Sequence, residues 1–227
     1  MRFVFAGTTQ LSAAPRVAVV IDVMRAFTTS AYAFAGGTEK TVFAETDTAA
    51  LELKARHPHW LAVRDGAPAA GFDFSNSPGQ TQERDLTGRS LVLRTTSGTA
   101  GALAVAEAEV ILCASFVVAR STATYLRSLA PEEVVFVITG QNGRAEEDLA
   151  CARYIAESIT TPDADPSRFI ERARRSEAAT DLVEGVRRGY REIHRDDLRL
   201  CLEADKASFA MTATPHSWGM VLARVVA

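Results

Sequence analysis

Cysteine is scarce in this chain: only Cys113, Cys151 and Cys201 occur, far apart and with no CxxC pair. Such spacing builds neither a disulfide framework nor a structural zinc site, and a reducing, cytoplasmic setting is expected. Lysine is equally scarce, since Lys40, Lys54 and Lys206 are the only lysines among 25 basic residues. Set against 28 acids, the formal charge is −3. No nucleic-acid partner and no anionic membrane surface is expected of such a chain, and any positive patch has to be local. Long apolar runs are missing as well. No window approaches the roughly 20 apolar residues that span a bilayer, and the first seven residues hold no sustained apolar signal core. The four histidines show no HExxH or comparable metal spacing. Also absent are a GxxxxGK[ST] phosphate loop, a GxSxG elbow, a Cys-x₅-Arg loop and, after Asp22, the second aspartate of a DxD phosphatase.

What remains is an ordinary soluble composition over 227 residues, 47% hydrophobic and 23% charged. One core is the default at this length, so residues 1–227 are read as a single domain, with residues 160–166 a candidate subdomain boundary. The run Val17–Ile21 is continuous and β-branched, as in a strand buried on both faces. Further short strands are expected over residues 41–44, 60–63, 91–93, 110–113 and 134–138. Helices are expected over residues 28–34, 49–56, 99–107, 117–129 and 146–158. This alternation implies a three-layer α/β/α sandwich with a mostly parallel or mixed sheet. A long loop is expected from Arg64 to about Asp85, of the kind that is commonly functional. Residues 167–191 read as charged and helical, and residues 197–227 as irregular.

In such a sheet, ligands bind at the carboxyl ends of the strands. The first buried strand ends in Asp22, with Arg25, Thr28 and Thr29 just beyond. The third feeds the loop carrying Arg64, Asp73, Asn76 and Ser77. The fourth ends in Arg94, Thr95, Thr96, Ser97, Gly98 and Thr99, the fifth in Ser115, and the sixth leads to Glu146, Glu147 and Asp148. Hydroxyls, N–H groups and guanidinium groups suit a phosphate. Carboxylates on the same rim would repel it unless a hard cation such as Mg²⁺ lay between them. Each piece also has a purely structural reading. Asp22 serves equally well as a helix cap, Thr95 to Thr99 as a polar turn, and Glu146 to Asp148 as first-turn acids favouring a helix dipole. Cys151 reads as a small core residue.

Taken in order, residues 20–29 (VIDVMRAFTT), 71–78 (GFDFSNSP), 95–99 (TTSGT), 114–116 (ASF) and 147–152 (EDLACA) resemble the 2-phosphosulfolactate phosphatases. The resemblance implies an α/β/α fold and Mg²⁺-dependent hydrolysis of 2-phospho-3-sulfolactate to 3-sulfolactate and phosphate, a step of coenzyme M biosynthesis. It implies that Asp22, Asp73 and Asp148 are catalytic, with Asp22 and Asp148 on the metal. Arg25, Thr28, Thr29, Arg64, Asn76, Ser77, Arg94, Thr95, Thr96, Ser97, Gly98, Thr99 and Ser115 would then contact a small phosphorylated acid, and a homo-oligomer is compatible with the pattern. The chain departs from that pattern at Val63, where the family carries Glu, and at Ser75, Ser97 and Val118. Val63 is expected to end a strand at the rim, with its side chain near the crevice. The alternative to a phosphatase is a catalytically weak relative that binds a different anionic metabolite.

Overall fold

The computed structural model describes residues 1–11 and 13–226. In chain order, β1 (Arg2–Gly7) and β2 (Val17–Ile21) precede α1 (Ala26–Ala35), followed by β3 (Lys40–Phe43), α2 (Asp47–Arg56) and β4 (Leu61–Arg64). Next come β5 (Phe74–Ser75), α3 (Pro78–Gln82), β6 (Ser90–Arg94) and α4 (Gly98–Leu103). After them lie β7 (Val110–Ala114), α5 (Ala119–Leu129), β8 (Glu133–Ile138) and α6 (Glu146–Thr160). The chain closes with α7 (Ser167–Arg174), α8 (Glu177–Arg187), α9 (Asp197–Cys201), β9 (Phe209–His216) and β10 (Gly219–Val226).

All ten strands join one sheet in the order β1-β8-β2-β7-β9-β10-β3-β6-β4-β5. The four strands β1, β8, β2 and β7 run parallel to one another, as do β3, β6, β4 and β5. The C-terminal hairpin β9–β10 lies between these quartets and pairs antiparallel with β7 on one side and β3 on the other. Three antiparallel steps make the two quartets point in opposite directions within the sheet. Five strand-to-strand steps separate β2 from β6, and at roughly 20–25° of twist each they rotate the two by about 100–125°. That rotation swings the carboxyl ends of both quartets toward one crevice.

The side-chain pattern explains the layers. Val17–Ile21 is buried throughout, as a strand covered on both faces requires. In the second quartet, alternate residues face opposite sides. Val42 and Val92 pack with Ala50 and Leu53 of α2 in one cluster. Phe43, Leu91, Leu93 and Val63 belong to the larger core with Phe27 and Phe34 of α1. Helices therefore cover both faces, and the fold is a three-layer α/β/α sandwich around a mixed sheet. The start of α2 is set by Thr46, whose hydroxyl accepts from the Ala49 N–H at 3.1 Å, while Lys54 and Arg56 lie in the last turn. Residues 160–166 lead from α6 into α7, and Arg120 donates to the carbonyls of Pro162 and Ala164 in that stretch.

Several elements differ from the sequence reading. The supposed irregular tail, residues 197–227, contains α9 and the two strands at the centre of the sheet; β1, an edge strand, was also not expected. The loop after Arg64 holds β5 and α3. Residues 167–191 form two helices, because Ser176 caps a new start by accepting from the Ala179 N–H at 3.1 Å. Strand β4 extends to Arg64, so Val63 lies one residue inside the rim, in register with Leu93 and Phe74 and fully buried. The expectation that its side chain would face the crevice is corrected accordingly. No helix among the described residues is long and apolar enough to cross a membrane.

Cys151 is wholly buried in α6, and its thiol is pushed well above its ordinary value by burial and then by Asp148 and Asp205. A thiol so held is not a nucleophile at neutral pH. Cys151→Ala should cost about 1–2 kcal/mol of stability through lost packing. Urea unfolding of wild type and variant measures this.

Candidate active site

The crevice is built from strand ends. Asp22 directly follows β2, and its own N–H donates to the Ala114 carbonyl at 3.3 Å, which places Ser115 beside it. Its Oδ1 accepts from the N–H of Ala26, the first residue of α1, at 3.0 Å, although the N-cap position itself is held by Arg25. The opposite side of the same carboxylate faces Gly98. A Cβ on Gly98 would lie 2.7 Å from Asp22 Oδ2 and 2.7 Å from the Ala26 Cβ, so the close approach of the two strand ends requires glycine there.

Asp148, in the first turn of α6, ties the end of β8 to the end of β2. Its Oδ1 accepts from the Val23 N–H at 2.8 Å and its Oδ2 from the Gly140 N–H at 3.1 Å. Both aspartates are buried. Burial, then the charges of Asp65 and Glu147, push the Asp22 carboxyl up to about 7. Burial, then Asp22 and Glu147, hold the Asp148 carboxyl well above the usual range. Glu147 is itself buried and pushed upward, chiefly by desolvation. Asp65, which the sequence reading left without a role, and Glu147, which it read only as a first-turn acid of the 147–152 motif, thus belong to the same electrostatic cluster as the two it picked.

Asp65 also organises the rim. Its Oδ1 accepts from Asn76 Nδ2 at 2.8 Å and its Oδ2 from the Thr96 N–H at 2.8 Å, joining the ends of β4, β5 and β6. Thr95 and Thr99 close the turn before α4 reciprocally: Thr99 N–H donates to Thr95 Oγ1 at 3.0 Å, and Thr95 N–H to Thr99 Oγ1 at 3.2 Å. Ser97, between them, makes no side-chain cap. Arg64 and Arg94 meet at Asp47, with Arg64 Nη1 at 3.2 Å from Oδ2 and Arg94 Nε at 3.3 Å from Oδ1. Both side chains remain partly exposed.

Other predicted residues are committed elsewhere. Asp73 Oδ2 accepts from Lys54 Nζ and from the Ala62 N–H, both at 2.7 Å, which fastens the start of β5 to β4. Arg25 donates to Asp197 Oδ2 at 2.7 Å and to the Glu192 carbonyl at 2.8 Å. Ser77 donates to Asp197 Oδ1 at 2.6 Å while capping α3, and Thr28 donates to the Val23 carbonyl at 2.8 Å. Asp197 also accepts from the Gly79 and His194 N–H groups, at 2.9 and 3.0 Å. This fully buried acid from the segment read as irregular holds two of the motifs together, and nothing local in its sequence announced it.

Five atoms of the predicted residues are buried without any hydrogen-bond partner: Thr29 Oγ1, Asn76 Oδ1, Ser115 Oγ and the Nε atoms of Arg64 and Arg94. Buried polar groups are rarely left unpaired, so these are groups available to a ligand. Among the described residues, no three His, Cys, Asp or Glu side chains stand together as a complete metal cage. A cage is not what Mg²⁺ needs, because it is commonly held by one or two carboxylates with phosphate oxygens and waters. Asp22 and Asp148 fit that description, as buried acids that repel one another.

A family model described as 2-phosphosulpholactate phosphatase matches residues 5–214. Among similar proteins, one from Bacillus subtilis is 34% identical over 60% of this chain and 61% of its own length. One from Deinococcus radiodurans is 35% identical, and one from Thermus thermophilus 36% identical, each over 64% of this chain and 62% of its own length. All three carry the name "probable 2-phosphosulfolactate phosphatase". The match thus spans under two thirds of each of these relatives.

Two outcomes follow from the geometry. A carboxyl raised on folding, as Asp22 is, binds its proton more tightly in the native state. Its contribution to stability is present below the unfolded value of 3.8 and is lost as pH rises toward about 7. In thermal unfolding without added metal, Asp22→Asn should therefore lose less stability between pH 5 and pH 8 than wild type; equal slopes would contradict the clustering. Asp197→Ala should cost about 3–5 kcal/mol in urea unfolding, because it leaves the Arg25 guanidinium buried and unpaired.

Proposed function

The chain belongs to the 2-phosphosulpholactate phosphatase family, and from that premise we propose that it is a cytoplasmic, Mg²⁺-dependent phosphatase acting on the phosphate monoester of a small anionic acid. The leading substrate is 2-phospho-3-sulfolactate, cleaved to 3-sulfolactate and phosphate in a step of the coenzyme M type. The observation that carries this reading is the single rim on which Asp22 and Asp148 are buried together beside the unpartnered Thr29, Asn76 and Ser115. Acids alone would expel a phosphate, and the hydroxyls alone would not explain four neighbouring carboxyls. Three buried free thiols suit a reducing compartment.

Asp22 and Asp148 are the residues that would hold the cation, which supplies the positive charge that lets acids and phosphate share one rim. Thr29 and Ser115 hydroxyls would receive phosphate oxygens, and Arg94 would offset part of the remaining negative charge. With Asp22 and Asp148 engaged, Glu147 is the other buried carboxyl in the cluster, poised by desolvation to exchange a proton with the attacking water. Asp65 has a positioning role, because it fixes Asn76 and Thr96 relative to each other.

One observation favours a weaker enzyme: Val63 is buried where the family pattern carries a carboxylate. Asp65, two residues on, brings a carboxylate to the rim from the same segment.

Purified protein incubated with Mg²⁺ and a panel of phosphate monoesters should release phosphate fastest from 2-phospho-3-sulfolactate. Excess EDTA should abolish release, and Asp22→Asn should lower it about 10²-fold or more. Hydrolysis undiminished by EDTA, or a folded Asp22→Asn near wild type, would overturn the proposal.

A further inference from the structure

A cavity of about 290 Å³ adjoins the acid rim but contains none of its acids. Its walls carry Arg64, Arg84 and Arg191 against two acids, Asp73 and Glu83. Asp73 is already paired with Lys54, and Glu83 stands 3.2 Å from His194 Nε2. Arg64 is shared with Asp47, whereas among the described residues neither Arg84 nor Arg191 has a carboxylate within ion-pair distance.

The guanidinium groups are also held in place. Arg84 lies 4.5 Å from the centre of the Phe74 ring and donates from Nη1 to the Gln80 carbonyl at 2.7 Å. Arg64 lies 5.4 Å from the centre of the Phe72 ring. An aromatic face and one backbone bond fix Arg84, and an aromatic face with the Asp47 carboxylate fixes Arg64, while further N–H donors stay free, the arrangement that suits bidentate capture of an oxyanion. The tether to the rim is short. Ser75 lines the cavity, and the next residue, Asn76, donates to Asp65 on the rim. Cavity and rim are therefore joined through adjacent residues of one segment.

We infer that the cavity lined by Arg64, Arg84 and Arg191 is a second-anion subsite that takes the sulfonate end of the substrate while its phosphate lies at the acid rim. The assignment of the phosphate end rests on the proposed phosphatase reading; the sulfonate site does not need turnover to be tested. A sulfonate stays fully ionised at any physiological pH and needs no metal, which matches a site made of guanidinium groups and aromatic rings. Simple phosphate esters lack this second handle, so the subsite would set the choice of substrate.

The test uses 3-sulfolactate as the probe, titrated by calorimetry into the full chain, wild type and variants. Wild type should bind it, and Arg84→Gln should weaken binding about tenfold or more. Because Arg84 packs on Phe74, the exposed Arg191→Gln is the second variant; it leaves the fold untouched and should weaken binding severalfold. In turnover, Arg84→Gln should raise KM for 2-phospho-3-sulfolactate about tenfold. The ratio of kcat/KM on that ester to kcat/KM on p-nitrophenyl phosphate should fall by a similar factor. No binding by wild type, or equal binding by wild type and both variants, overturns the subsite. If wild type binds 3-sulfolactate through Arg84 but hydrolyses no ester, the phosphatase reading fails and the subsite stands. If it hydrolyses the ester and neither variant changes KM or binding, the subsite fails and the phosphatase reading stands.

Discussion

Like-charge repulsion among Asp22, Asp65, Glu147 and Asp148 is the constraint on which the rest of the crevice depends. Each of these acids lies at or just after a strand end or in the first turn of a helix, and the sheet twist brings those ends together. Burial and mutual repulsion then raise the Asp22 and Asp148 carboxyls. The fold offsets part of this cost with backbone donors: Ala26 N–H on Asp22, Val23 and Gly140 N–H on Asp148, and Thr96 N–H on Asp65. Those bonds also lock the segments to one another. Protons or a cation must supply the rest, which is why the cluster reads as a site rather than as a set of helix caps.

A second lock acts from the other side. Asp197 is fully buried and gathers Arg25, Ser77 and the Gly79 and His194 N–H groups onto one carboxylate. It couples the C-terminal third of the chain to motifs that precede it by more than a hundred residues. The same C-terminal third supplies the central hairpin between the two parallel quartets. The crevice therefore exists only when the whole sheet is assembled.

Much of this was legible in the sequence, for reasons that are local. Val17–Ile21 is apolar without interruption, and so are the cores of β6, β7 and β8, because strands covered on both faces must be. Asp22, Asp148 and the 95–99 turn stand at strand ends, where ligands gather in parallel sheets. The hairpin was not legible, although the first half of β10 alternates buried and partly exposed residues. Pro215 and the polar turn obscured its partner; Pro215 is tolerated because β9 pairs with β7 only through Thr212 and Ala213. Asp73, Arg25 and Ser77 looked free because their partners, Lys54 and Asp197, are distant in sequence, and no spacing rule shows which charges a fold will consume. Asp65 and Glu147 were visible as letters, but only the assembled crevice gives them a shared field.

The central claim is that this acid cluster is built for a divalent cation, and thermal unfolding with and without Mg²⁺ tests it without relying on turnover. A ligand that binds only the native state raises its melting temperature by an amount that grows with the logarithm of one plus the ratio of free ligand concentration to Kd. At pH 8, above the raised Asp22 value of about 7, millimolar Mg²⁺ should raise the wild-type Tm by several degrees; at pH 5, with Asp22 protonated, the rise should vanish. Asp22→Asn should show little rise at either pH. A Tm indifferent to Mg²⁺ at pH 8, or a rise of the same size in Asp22→Asn, would contradict the account.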